Sequence, residues 1–378
     1  MNQPALPSRT RVAIIGAGPT GLALAITLAQ AGVDFVLVDR QAEGANTSRA
    51  AVVHARTLEV LDELGASADL LRRGIKLTRF SVRDGARARA LMTIPFDGLP
   101  TPHPYTLMIP QNETEDVLLT RLRALGADTS RPYEAASVVQ DDSGVTVTMT
   151  SGETVRADYA VGADGMHSMV REAAGIGFTG SAYAESFVLA DVDMRWAPGP
   201  REVSLNFHSA GLIVVAPLPG DRYRIVATVD DAPHTADLAF LQRMLDERVP
   251  GQATAHEVHW SSRFRIHHRV ADSYRAGRLF LAGDAAHVHS PAGGQGMNTG
   301  IQDGYALGRA LASGTLDAYE ATRRPVAEQV VALADRMTRL ATTHHPAARG
   351  VRNIALRVLG HTPFRTKLAT ELAELNYR

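Results

Sequence analysis

The chain has 378 residues, a formal net charge of −1, a sequence pI near 6.9 and no cysteine. Its length exceeds what one average core needs, so two closely joined units are expected. Near-neutral charge gives no field for nucleic acid, and the missing thiols exclude disulfides, Cys-ligated zinc, iron–sulfur clusters and thiolate nucleophiles. The first ten residues, MNQPALPSRT, have no apolar core, and no apolar run approaches the roughly 20 residues of a bilayer span. The expectation is therefore a cytoplasmic protein, monomer or homodimer, with a small-molecule ligand, no nucleic acid and no membrane partner.

In chain order, Arg11–Ile15 reads as a buried strand, Gly16-Ala-Gly-Pro-Thr-Gly21 as a turn, and the following apolar run as a helix ending at Gly32. Phe35–Val38 is the second strand of this βαβ unit. Helical spacing of Leu58, Leu61 and Leu64 predicts a helix over 55–64 stopped by Gly65, and another is expected near 113–125. Residues 80–109 are proline-rich and short-stranded. The run VVQDDSGVTVTM is a hairpin, followed by an apolar strand into Gly162-Ala-Asp-Gly165. Four antiparallel strands follow between about 186 and 230, and beyond Gly283-Asp284 the chain is largely helical. The fold class expected is α/β with α+β character: a Rossmann-like nucleotide-binding domain interwoven with a mostly antiparallel sheet. We assign 9–78, 105–180 and 270–325 to the first domain, 79–104 and 181–269 to the second, and 326–378 to C-terminal helices.

Gly16, Gly18 and Gly21 stand where the dinucleotide fingerprint requires glycine, after a buried strand and at a helix start. Backbone N–H groups there, with the helix dipole behind them, suit a pyrophosphate. Asp39 ends the next strand, at the ribose position. A second match, Gly175–Gly180, follows a helix rather than a strand and is rejected. A third loop, Gly283 to Asn298, combines strand, acid, glycines and helix start, so one extended dinucleotide would be held from both ends. The histidine pairs 267/268, 287/289 and 344/345 lack a carboxylate at metal spacing, so no metal is expected. No GxSxG elbow or P-loop occurs.

Gly16–Gly21, Gly162-Ala-Asp-Gly-Met-His-Ser-Met-Val-Arg171 and Gly283-Asp-Ala-Ala-His287 with Pro291 and Gly296-Met-Asn298 together resemble the group A flavoprotein monooxygenases, the para-hydroxybenzoate hydroxylase-like family, in its minimal form without a thioredoxin-like C-terminal domain. The resemblance implies FAD, NADPH or NADH as a transient electron donor, and O2, with hydroxylation of an aromatic or phenolic substrate through a flavin C4a-hydroperoxide. It implies cofactor contacts at Gly16, Gly18, Pro19, Thr20, Gly21, Asp39, Arg40, Arg49, Gln111, Asp164, Gly165, Gly283, Asp284, Gly296, Met297 and Asn298. Pro291, Gly293 and Gly294 would form the loop at the reacting centre. Strand alternation offers Asn206, His208 and Arg224, with Phe207, as substrate contacts. Competing readings are an epoxidase on the same scaffold, a flavin-binding relative that sequesters a reactive intermediate, and a plain nicotinamide dehydrogenase. Widely separated Trp196 and Trp260 argue against a halogenase.

Overall fold

A computed structural model describes residues 5–44, 50–229, 232–291, 293–341 and 345–377. The chain runs β1 (Arg9–Ile15), α1 (Pro19–Gln30), β2 (Phe35–Val38), β3 (Val52–Val53), α2 (Ala55–Leu64), α3 (Ser67–Arg73) and β4 (Ile75–Leu77). Next come β5 (Arg79–Asp84), β6 (Arg89–Pro95), β7 (Thr106–Met108), α4 (Gln111–Ala124), β8 (Ala135–Asp141), β9 (Gly144–Met149), β10 (Thr154–Gly162) and α5 (Met169–Ala173). The sheet region holds β11 (Phe178–Trp196), β12 (Val203–His208), β13 (Gly211–Leu218), β14 (Arg222–Val229), α6 (Leu238–Arg248) and β15 (Ala253–Ala271). The chain then returns through β16 (Arg275–Ala276), β17 (Leu279–Leu281) and β18 (His287–Val288) to α7 (Gly296–Ser313), α8 (Leu316–Ala341), α9 (Pro346–Leu359) and α10 (Phe364–Leu372).

Strands β17, β10, β1 and β2 are parallel; β2, β17 and the C-terminal ends of β1 and β10 are buried apolar runs, as expected of strands covered on both faces. The β8–β9 hairpin extends this sheet through β10. A second sheet of eight strands runs β18-β15-β11-β14-β13-β12-β5-β6, antiparallel except where β12 meets β5. Strand β15 had no element assigned in the sequence reading. It pairs with β11 along nearly its whole length, and its sequence ATAHEVHWSSRFRIHHRVA offers alternation but no apolar run.

Helices α1 and α7 approach unusually closely because α7 presents glycine every fourth residue. A Cβ on Gly304 would sit 2.3 Å from the Thr20 carbonyl oxygen, and one on Gly308 would sit 2.6 Å from Thr27 Cβ. Within the fingerprint turn, a Cβ on Gly21 would lie 1.9 Å from Gly16 O, so only glycine permits strand and helix to meet there. This packing brings the Gly16–Gly21 turn and the Gly283 loop to one end of the parallel sheet, where ligands bind in open α/β sheets.

Candidate active site

Gly16, with φ +103°, closes the turn after β1, and Pro19 opens α1 at a position where its missing N–H costs nothing. Asp39 is held by two backbone donors: Ala17 N–H to Oδ2 at 2.7 Å and Gln41 N–H to Oδ1 at 2.8 Å. Arg131, which sequence reasoning did not single out, donates to Ala17 O at 3.2 Å and lies 4.0 Å from Asp39. These groups border a cleft of about 230 Å³ lined by Gly16, Gly18, Asp39, Arg40, Asp164 and His167.

The cleft fits the diphosphate and ribose of a dinucleotide on three observations. A Cβ on Gly18 would meet nothing within 4 Å, so this glycine faces open space, not core. Asp164 accepts from the Met169 and Val170 N–H groups through Oδ2, while its buried Oδ1 has no partner among the described residues. Burial raises that carboxyl above its ordinary range. Gly165, with φ +81°, supplies the turn after it. Thr20 is the exception among the fingerprint residues: its hydroxyl packs against Gly283 and Gly300, so its side chain serves the helix–helix seam. Arg49 lies outside the described residues. Ala50, next to it, donates weakly to Gln111 Oε1 at 3.4 Å, and Gln111 donates to Glu115 at 2.8 Å.

The second loop is fixed by a buried charged cluster absent from the sequence reading. Asp303 accepts from Gly283 N–H at 3.2 Å, contacts His287 Nε2 at 2.7 Å and accepts from Arg323 Nε at 2.6 Å. Burial alone would raise the Asp303 carboxyl, but Arg323 and His287 outweigh it and hold it below its ordinary value. Asp284 is left exposed at the loop tip. Farther on, Asn298 accepts from His54 N–H at 2.8 Å and donates to Val52 O and Gly294 O, tying the start of α7 to β3. The Pro291 carbonyl accepts from Gly294 N–H at 2.9 Å, closing the turn that carries Gly293 and Gly294, both at positive φ. Gly296 and Met297 are half-buried at the helix start.

Two imidazoles flank this turn. His54 Nε2 bonds Gly293 O at 2.7 Å, and burial pushes its pKa down to about 4. His289 is likewise pushed down to about 4, chiefly by burial and further by His287, and its Nε2 has no partner among the described residues. Both are neutral at pH 7. Sequence reasoning weighed His289 only as a metal ligand and did not consider His54, whose position after a two-residue strand carries no recognisable signal.

Among the four substrate candidates, register separates what alternation could not. Leu205 pairs with Val214, and Val214 with Val226, so Phe207, Val214, Ala216 and Arg224 share the sheet face that packs with Phe80, Met92, Val52 and Met108 beside the glycine loop. Asn206 pairs with Ile213, whose side chain packs in the cluster around α6. Asn206 and His208 therefore lie on the opposite face, and their assignment as substrate contacts is corrected. Arg224 is buried and engaged: it grips Asp191 through Nε and Nη2 at 2.7 and 2.8 Å and donates to Ala50 O at 2.9 Å. It positions the segment beside Gln111. On that same face a second cavity of about 660 Å³ opens among Asp191, Trp260, Arg222 and the start of α4.

Two nucleotide-binding turns converging from a parallel sheet, with an apolar antiparallel sheet facing the second of them, define a flavoprotein oxidoreductase. The FAD-binding-domain family model matches residues 9–334. A 12-dehydrotetracycline 5-monooxygenase/anhydrotetracycline 6-monooxygenase of Streptomyces rimosus is 37% identical, over 94% of this chain and 74% of that protein. The pentachlorophenol 4-monooxygenase of Sphingobium chlorophenolicum is 31% identical over 88% of this chain and 65% of its own length. Among solved structures, p-nitrophenol 4-monooxygenase from Pseudomonas putida superposes with a TM-score of 0.88 at 26% identity, covering 98% of this chain and 99% of that one. The anhydrotetracycline hydroxylase of S. rimosus gives 0.82 at 35% identity, covering 97% and 76%. The chain belongs to the FAD-binding-domain family of flavin-dependent aromatic monooxygenases, which use FAD with NAD(P)H and O2 to hydroxylate aromatic small molecules.

Proposed function

We propose that this enzyme hydroxylates a phenolic, multi-ring aromatic of polyketide type, and that the two clefts described above hold its cofactor and substrate. The observation that carries the reading is the apolar sheet face of Phe80, Met92, Phe207 and Val214 set beside the Pro291–Gly294 turn, continuous in register with the face bordering a 660 Å³ cavity. That volume lies within the usual range for small-molecule sites and exceeds what one ring needs. Relatives named for anhydrotetracycline, rifampicin and 6-methylpretetramide point the same way.

FAD, when bound, supplies the electron storage and oxygen activation that side chains cannot. Gly18 and the start of α1 would take its diphosphate, Asp39 and Arg40 the adenosine side, and Asp164, Gly165, Gly283 and Asp284 the middle of the molecule. Gln111 would touch the ribityl chain, and Met297 and Asn298 would border the ring. The chain's own residues then position substrate and exclude water. The sheet face desolvates the aromatic ring. Gly294 is glycine because a Cβ there would sit 2.1 Å from the Val52 side chain, which keeps the turn tight against β3, and the α7 N-terminus beside it favours developing negative charge.

We place the enzyme in the cytoplasm as a monomer or homodimer, with no nucleic-acid partner and NADPH or NADH as a transiently bound donor. The test is the anaerobic rate of flavin reduction by each nicotinamide, with and without a panel of phenols and fused-ring polyketides. Strong acceleration by a multi-ring phenol supports the reading. Stimulation by simple phenols alone would contradict the polyketide assignment, and reduction that no aromatic accelerates would favour the flavin-binding relative.

A further inference from the structure

The C-terminal region carries a surface that the active site does not use. Among the described residues, the large hydrophobic side chains that are exposed include Leu340, Val351, Ile354, Val358 and Phe364, all within one 25-residue span. Three of them, Val351, Ile354 and Val358, are spaced i, i+3, i+7 on α9 and are 68, 63 and 61% exposed. The apolar stripe of this helix thus points outward, the reverse of an ordinary surface helix. Its inward side is held by other means: Arg352 is buried, donates to Leu340 O at 2.9 Å and stacks 4.3 Å from the Phe207 ring, and Leu356 packs on the cluster beneath the sheet.

Charge sets the second condition. Residues 336–370 contain seven Arg or Lys and no Asp or Glu, in a chain whose net charge is only −1. Arg349, Arg357, Arg365 and Lys367 make no ion pair among the described residues, and they flank the stripe or follow it. A second copy of this chain docked through the same face would bring like charges together, which costs several kcal/mol at close range. An apolar stripe about two turns long, bordered by cations, instead complements a surface that is flat, negative at its rim and apolar beneath. No helix among the described residues is long and apolar enough to cross a membrane, so the helix would lie on the surface, not span it.

From this we infer that α9 docks the enzyme on an anionic lipid surface, its apolar stripe entering the headgroup boundary and its arginines pairing with lipid phosphates. This is independent of which aromatic is hydroxylated. The consequence for function is geometric: α9 packs on β6, the edge strand of the substrate-facing sheet, so docking would bring that sheet edge to a phase in which apolar aromatics concentrate.

The test is co-sedimentation of the purified FAD-loaded full chain with vesicles of phosphatidylcholine alone or with about a third phosphatidylglycerol, at low and high salt. Partition onto the anionic vesicles at low salt, weakened at high salt where surface charges are screened, is expected. The doubly substituted I354E/V358E protein should lose at least tenfold in partition coefficient while keeping its circular dichroism and flavin content, since both sites are exposed. Wild type remaining in the supernatant with anionic vesicles, or the double variant pelleting equally, overturns the inference. So does light scattering that shows a wild-type dimer which the double variant breaks, because the face would then belong to a second copy. None of these readouts depends on turnover, so failure here leaves the proposed reaction untouched, and failure of that reaction leaves the docking result standing.

Discussion

Replacing Gly304 with alanine tests whether the seam between α1 and α7 is what aligns the two nucleotide-binding turns. On helix propensity alone this change stabilises by about 1 kcal/mol, because glycine is the poorer helix former. The structure demands the opposite sign. The new methyl would sit 2.3 Å from Thr20 O and 3.0 Å from Leu24 N, both backbone atoms that cannot rotate away. Ordinary contact begins at 3.4 Å, so α1 and α7 would have to part by about 1 Å. Overpacking of this kind costs about 1–3 kcal/mol, and with backbone on both sides we expect the upper end, leaving a net loss of about 2 kcal/mol. Because the seam sets the spacing between Gly18 and the Gly283 loop, FAD affinity should fall with stability. Gly350, within α9 with nothing near its Cβ position, is the internal control: G350A should gain about 0.5–1 kcal/mol and leave FAD binding unchanged. Urea unfolding of the apoproteins and titration of flavin fluorescence measure both quantities. If G304A is as stable as G350A and binds FAD like wild type, the reasoning is wrong.

Gly18→Ala should separate binding from folding, because its Cβ enters open cleft: unchanged unfolding midpoint, FAD dissociation constant raised about tenfold or more, measured by the same titration. Asp303→Asn leaves Arg323 buried without its counter-charge and should cost about 3–5 kcal/mol, read from unfolding midpoints. The Asp303 contribution, with its carboxyl held below 3.8, is present above that value and lost as pH falls through the folded one. Glu374 has the opposite sign. Burial pushes its carboxyl from 4.5 up to about 8, against Arg323 and Gln302, so its contribution is complete below pH 4.5 and is lost as pH rises through 8. Melting temperatures of E374Q should therefore decline less than those of wild type between pH 5 and 9, and parallel curves would refute the assignment.

The elements that sequence alone revealed share one property: their signal is local. The β1–α1–β2 unit, the 55–64 helix and the β8–β9 hairpin announce themselves through apolar runs bounded by Gly65 or by Asp-Asp-Ser-Gly. What escaped depends on partners distant in sequence. Strand β15 alternates apolar and polar residues without an apolar run, and it is fixed by pairing with β11 along nearly its whole length. Asp303 and Arg323 look like surface residues of amphipathic helices until the fold buries both against His287. Alternation placed Asn206 with His208 and Arg224 with Thr228 on common faces, but only the pairing of Leu205 with Val214 and of Val214 with Val226 shows which face meets the glycine loop. Gly300, Gly304 and Gly308 were not singled out in the sequence, because glycine at helical spacing gains its meaning only once α1 is set against it.

The most direct test of the central claim is product analysis under heavy-isotope O2. FAD-loaded enzyme, NADPH or NADH, and a panel of fused-ring phenols should yield a product carrying one labelled oxygen on the aromatic ring, with one nicotinamide consumed per hydroxyl formed. Nicotinamide oxidation that releases only hydrogen peroxide across the whole panel, or a product whose new oxygen comes unlabelled from water, would contradict it.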